Sequence, residues 1–210
     1  MSTDTNAQPS VNATFLVGVA AVCAAVFAFN FSRYGMVKDS FIWTIRVVVK
    51  LGFVFYTMSY IASPLHQLLP TGFSTFLMKH RATTGAAFAV SHLSAAGCAI
   101  TLWVTWPQVI YAISNPVERV LGLTVFAWIL VMLLTSNRAS IGLLGQRFWH
   151  AIHTYGMMVI WVGYLLDYGR RTLHWSPYFG IFTGTLVLIF VLRLTVNIRR
   201  LVRPSMPARV

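Results

Sequence analysis

Acidic residues are nearly absent from this chain. Its 210 residues include four, Asp4, Asp39, Glu118 and Asp167, against sixteen Lys/Arg. Charge of either sign is scarce: 10% of residues are charged, where a soluble domain carries about a quarter. That excludes an ordinary globular surface. It also excludes a nucleic-acid partner despite the formal net charge of +12, because the bases are thin punctuation between apolar runs and form no solvated basic face. The only two cysteines, Cys23 and Cys98, fall inside apolar runs and read as buried thiols rather than as a disulfide or a metal site. No GxGxxG or P-loop pattern occurs, and no polar stretch approaches the roughly 100 residues of a nucleotide-binding domain. No bound nucleotide is therefore expected on this chain. The first fourteen residues carry no Lys/Arg, so the positive n-region of a cleavable signal peptide is missing and 15–32 reads as a retained span.

What is present is apolarity. Hydrophobic residues make up 57% of the chain and the mean hydropathy is +0.70. Six uncharged runs, 5–32, 51–78, 82–117, 120–137, 148–166 and 172–192, each reach at least 18 residues, and a helix needs about 20 to cross a bilayer core. Barrel strands would be about ten residues of alternating polarity. The expected fold is therefore an all-α integral membrane protein, a six-helix transmembrane bundle. It comprises a polar tail over 1–14, one domain over 15–197 and a basic tail over 198–210. Pro107 and Ser114-Asn115-Pro116 are expected to end the long third run as a loop. Arg199, Arg200, Arg203 and Arg209 tip the loop charges toward cytoplasmic termini.

With no acid inside any run, polar chemistry within the membrane falls to histidine. The same absence counts against a transporter or channel with an acidic relay. His66, His80 and His174 read as interfacial. His92 lies eleven residues past Arg81, roughly 16 Å of helix rise, near mid-bilayer. Its helical face carries Gly85, Ala89, Ala96 and Ala99. Small residues there suit either close helix packing or clearance for a flat macrocycle with the imidazole as axial ligand. The fifth run opens on Trp149-His150-Ala151-Ile152-His153. His150 and His153 broadly share a face, and His153 points deeper. The third and fifth spans run in the same direction, so His92 and His153 are expected at similar depth, able to clamp a haem iron. Two neutral nitrogens suit electron transfer rather than oxygen binding.

Several stretches, in order, resemble the ferric-reductase-like transmembrane domain family, most closely its MsrQ-type members, the haem-binding membrane subunits of methionine sulfoxide reductase systems. They are Ser63-Pro64-Leu65 closing the second span, His80-Arg81-Ala82-Thr83-Thr84-Gly85 with Phe88 and His92 in the third, Leu134-Thr135-Ser136-Asn137 ending the fourth, and Trp149-x-x-Ile152-His153 opening the fifth. About half the chain is covered. The resemblance implies one haem b in a bacterial inner-membrane, multi-pass cytochrome with both termini cytoplasmic, the electron-transfer subunit of an oxidoreductase. A separate flavoprotein reductase or quinone would be its donor, and a periplasmic reductase subunit its acceptor. Its expected partners also include membrane lipid.

Carried over residue by residue, the resemblance marks His92 and His153 as haem-associated histidines, the expected iron ligands; His80, His150 and Arg81 are further candidate cofactor-binding residues. Where the family has another histidine, thirteen residues past His153, this chain has Leu166. Three arrangements stay open: His92 with His153, His153 with His80 nearer the cytoplasmic surface, or a haem-free scaffold that anchors a redox complex. Arg46, Lys50, Arg81 and Arg147 are the cations available to haem propionates, or they snorkel to headgroups.

Overall fold

The computed structural model describes residues 11–202. Among them the regular structure is entirely helical. Six helices are 19 residues or longer: α1 (Ala13–Tyr34), α2 (Lys38–Leu68), α3 (Gly72–Thr105), α5 (Pro116–Leu134), α7 (Gln146–His174) and α8 (Gly180–Val202). Two short ones, α4 (Pro107–Ile113) and α6 (Arg138–Leu144), connect long neighbours. The expected tails lie largely outside the described residues, as do Asp4, Arg203 and Arg209. The basic tail expected from 198 is helical to Val202.

Local chemistry sets the ends. Asn12 caps α1, its side chain accepting from the Phe15 N–H at 3.1 Å. Thr71 with Ser74, and Asn115 with Glu118, form capping boxes that open α3 and α5. Pro107 and Pro116 occupy first-turn positions, where the missing N–H costs nothing. Gly35 and Gly145 turn the chain at positive φ, 78° and 76°.

Three boundary expectations change. Pro64 does not close the second helix; it lies inside α2, which runs one further turn to Leu68. Lys79-His80-Arg81, the charged break between the second and third uncharged runs, separates no helices but lies inside α3, which starts at Gly72 because Thr71 caps it there. Residues 107–113 form a short helix rather than a loop, opened by Pro107 itself.

Five helices, α1, α2, α3, α5 and the segment Pro177–Arg199, are long and apolar enough to cross a membrane. The sixth long helix, α7, is less apolar, its uncharged stretch 148–166 carrying His150 and His153. Burial runs opposite to a soluble protein. Val17, Phe29, Ile100, Leu123 and Leu188 face outward, while Ser40, Thr44, Ser59, Ser91 and His92 are buried. An apolar exterior of this extent belongs in lipid.

Packing arranges α2, α3, α5, α7 and α8 as a closed ring, each touching the next and α8 returning to α2. All five supply one core: Phe53, Tyr56 and Tyr60 from α2, Phe88 from α3, Ile129 from α5, Ile160, Tyr164 and Tyr168 from α7, and Leu186 and Ile189 from α8. The sixth helix, α1, stands outside the ring against α2 and α3, sealed by Val19, Cys23, Val48, Ala87 and Ala95. Cys23 is buried and Cys98 half-buried.

Two glycines let α7 approach α5. A Cβ on Gly163 would sit 2.6 Å from Val125 Cγ2, and one on Gly156 2.4 Å from the Met132 sulfur. Met132 can swing away, whereas β-branched Val125 cannot. Gly163→Val is therefore expected to destabilise the protein by about 1–3 kcal/mol. Gly97→Ala, at a site with open space around it, is expected to leave stability unchanged or slightly higher. Thermal unfolding in detergent reads both, and equal melting temperatures for the two would refute the close α5–α7 seam.

Candidate functional site

A half-open cavity of about 850 Å³ lies between α2, α5 and α7, within the size range of cofactor sites. Its walls come from α2 (Trp43 to Lys50), α5 (Val117 to Phe126) and α7 (Ile160 to Arg171), and His92 of α3 lines it too. His92 is 4% exposed. Its Nδ1 lies 3.2 Å from the Phe88 carbonyl oxygen. A carbonyl only accepts, so Nδ1 carries the proton and Nε2 presents its lone pair. The Tyr164 hydroxyl donates to that Nε2 at 2.9 Å. Tyr164 lines the same cavity. A neutral imidazole whose Nδ1–H is fixed by a backbone carbonyl is the form in which histidine usually meets a metal.

Room for that imidazole comes from an unexpected place. Gly85 of its own helix, one of the small residues expected to give a macrocycle clearance, meets only Ser59 Oγ, at 3.4 Å. A Cβ built on Gly52 of α2 would lie 2.4 Å from His92 Cε1 and 2.5 Å from Nδ1. The ring therefore stands directly on the α2 backbone. Only a residue without a side chain permits that approach.

The charges at the cavity divide into two sets. Arg170 pairs with Glu118, and Arg171 with Asp167 at 2.8 Å. These acids sit near helix ends, in α5 and α7. Arg46 and Lys50 make no ion pair among the described residues; they lie over the rings of Trp43 (4.9 Å) and Tyr178 (5.3 Å). Both are on α2, one turn apart, six and two residues from Gly52 respectively, or roughly 9 and 3 Å of rise. The cavity thus has an imidazole at its inner end and two unpaired cations nearer its mouth.

His153 lies elsewhere. Its Nε2 is 3.3 Å from Thr135 Oγ1. The Thr135 hydroxyl already donates to Val131 O at 2.7 Å, so it accepts from His153 Nε2–H. Trp149 stacks on His153, ring centroids 4.5 Å apart, and donates its Nε1–H to Thr135 O at 2.8 Å. The two sequence stretches containing Thr135 and Trp149-x-x-Ile152-His153 thus form one knot at the start of α7.

The structure does not bring His92 and His153 together. His92 meets Tyr164, while Arg81, eleven residues before His92, lies within electrostatic reach of His153, eleven before Tyr164. The helices are parallel, as expected, but the two imidazoles differ in depth by roughly 16 Å. Two nitrogens on one metal stand only about 4 Å apart, at metal–nitrogen distances near 2 Å. One iron cannot take both. His80 comes at the depth of His153 but stacks on Phe76 of its own helix, 4.5 Å between ring centroids, and no hydrogen bond or ring contact joins it to His153 among the described residues. His150 is exposed. Of the four cations considered for propionates, Arg46 and Lys50 border the cavity, while Arg81 and Arg147 belong to the other end of the ring.

Leu166 borders the same cavity as His92. Sequence reasoning missed Tyr164 and Gly52. The legible signal for each was slight: a tyrosine four residues before Tyr168, and a lone glycine in an apolar run. Compared with family models, with curated proteins and with solved structures, the chain finds no match in any of the three.

Proposed function

We propose that this chain is a six-span membrane cytochrome of the ferric-reductase-like type, whose cavity holds one haem b through His92. The reading rests above all on one juxtaposition. A buried imidazole whose Nε2 accepts from Tyr164 in the cavity wall shares that cavity with two cations that make no ion pair among the described residues. Haem has the complementary parts: an iron that takes imidazole nitrogen, an apolar macrocycle and two carboxylates. The volume, the apolar wall and the charge balance all fit that group. Arg46 and Lys50 would hold the carboxylates, and His92 would hold the iron.

When bound, the group supplies one-electron Fe(III)/Fe(II) cycling. The residues of this chain do the rest. Phe88 O fixes the imidazole tautomer, and Gly52 fixes the ring position. Val125, Phe126 and Ile160 exclude water from the inner wall. The chain would act as the electron-transfer subunit of a reductase in a bacterial inner membrane, with both termini cytoplasmic. A separate flavoprotein or a quinone would donate. In that orientation the mouth beside Arg46 and Lys50 faces the periplasm, toward an acceptor subunit.

A second reading, a haem-free scaffold for a redox complex, is favoured by one observation: both nitrogens of His92 are already hydrogen-bonded, to Phe88 O and to Tyr164. A pyridine haemochrome assay with protein stoichiometry separates the two. The cytochrome is expected to give close to one haem b per chain. Well-folded protein that stays colourless after haem is supplied would leave the scaffold.

A further inference from the structure

We propose that Arg81 and Arg193 form a binding site for one phosphate group, at the end of the ring opposite the cavity. The site is separate from the haem reading and does not depend on it. Its first support is the placement of the acids. Among the described residues these are Asp39 in the first turn of α2, Glu118 in the first turn of α5, and Asp167 near the end of α7. The helix order puts all three at one end of the ring. Lys79, Arg81, Arg147, Arg193 and Arg199 lie toward the other end, where no described acid meets them.

Two of these cations are drawn together over the bundle core. The Arg193 guanidinium lies over the Tyr60 ring, 4.5 Å from its centroid. Tyr60 is buried in the core, so Arg193 is turned into the bundle rather than outward to headgroups. Ser59, next to Tyr60 on α2, donates its hydroxyl to the Arg81 carbonyl oxygen at 3.3 Å. That bond ties α3 to α2 one residue from the ring that Arg193 covers. Arg81 and Arg193 lie within electrostatic reach of each other. Arg193 also stands six residues before Arg199 on α8, roughly 9 Å deeper. A cation inside a span normally has a counter-charge. Here the charge within its reach is a second cation.

Two like charges held together at the edge of lipid are relieved by an anion between them. A guanidinium forks onto two oxygens through parallel N–H donors. One fork fills a carboxylate, whereas a phosphate has oxygens for two. Arg81 is exposed, so the group can arrive from the end of the bundle, and half-buried Arg193 holds it from within. The phosphate belongs either to a soluble phosphorylated compound or to a lipid headgroup, which share this chemistry and differ in what carries it.

The test uses full-length protein purified in phosphate-free detergent buffer. Thermal unfolding is followed as inorganic phosphate is added, against chloride of equal ionic strength. In parallel, phosphatidylglycerol is added to the micelles, against phosphatidylcholine. One or both phosphate sources are expected to raise the wild-type melting temperature above its control. Arg81→Gln and Arg193→Gln are expected to lose that rise. Arg193→Lys keeps the charge without the fork and is expected to need about tenfold more of the same source. A rise with inorganic phosphate assigns the site to a soluble ligand, and a rise with phosphatidylglycerol alone assigns it to a headgroup. No rise above the controls from either, or an equal rise in the glutamine variants, overturns the site. If Arg193→Gln does not fold, Arg81→Gln and Arg193→Lys decide. None of these readouts involves haem, so the cytochrome reading stands or falls separately.

Discussion

His92→Ala is expected to strip the purified protein of haem, while His153→Ala keeps its haem content near wild type. The asymmetry follows from position. His92 lines the cavity, its Nε2 accepting from Tyr164, whereas His153 is tied to Thr135 and Trp149 at another depth. Removing the imidazole also leaves the Tyr164 hydroxyl without its acceptor, a loss of about 1–3 kcal/mol for a buried polar group. That structural cost could mimic loss of a ligand, so a third variant is needed. Tyr164→Phe keeps the ring and releases Nε2. On the cytochrome reading it retains haem at wild-type level or binds it more tightly, since no phenol competes for the nitrogen. A scaffold would show no haem in any variant and a lowered melting temperature in both His92→Ala and Tyr164→Phe. Haem content unchanged in His92→Ala would reject the ligand assignment outright.

Gly52→Ala should damage the same site from the neighbouring helix. The new Cβ would meet His92 Cε1 at 2.4 Å and Nδ1 at 2.5 Å, far inside van der Waals contact. The imidazole has no easy retreat, because Phe88 O and Tyr164 hold it on two sides. Either α2 and α3 move apart or the ring turns and loses both hydrogen bonds. Overpacking of this kind costs about 1–3 kcal/mol. Haem retention should fall together with the melting temperature. The readout is haem content after size-exclusion chromatography, alongside thermal unfolding. Gly52→Ala protein with wild-type haem content and stability would show that the imidazole does not rest on the α2 backbone.

The helices were legible because membrane burial writes a long, simple signal. Continuous apolarity over 15–32 or 172–192 leaves few alternatives to a helix. Their ends were less so. Charge at Lys79-His80-Arg81 suggested a loop, but helical hydrogen bonding does not stop where lipid stops, and Thr71 starts α3 well before that triplet. His92 stood out because a polar residue at mid-span is costly. Its partners did not, since each lies on another helix: Gly52 forty residues earlier and Tyr164 seventy-two later. Depth was misjudged for His153 for a related reason. Sequence gives distance along one helix, while the vertical offset between α3 and α7 depends on where each begins, and α3 begins early.

The order in which the ring closes has a bearing on biosynthesis. Its wall runs α2, α3, α5, α7, α8 and back to α2, so the first wall helix is sealed by the last one made. While the ribosome is still emitting α7, the core faces of α2 and α7 that Leu186 and Ile189 will cover stand open to lipid. Those faces close once α8 docks on Tyr60 through Arg193, whereas the cavity, which α8 does not line, has its walls as soon as α7 and the turn at Phe179 are in place. α1, made before the ring helices, takes no part in that closure and can settle against α2 and α3 long before it.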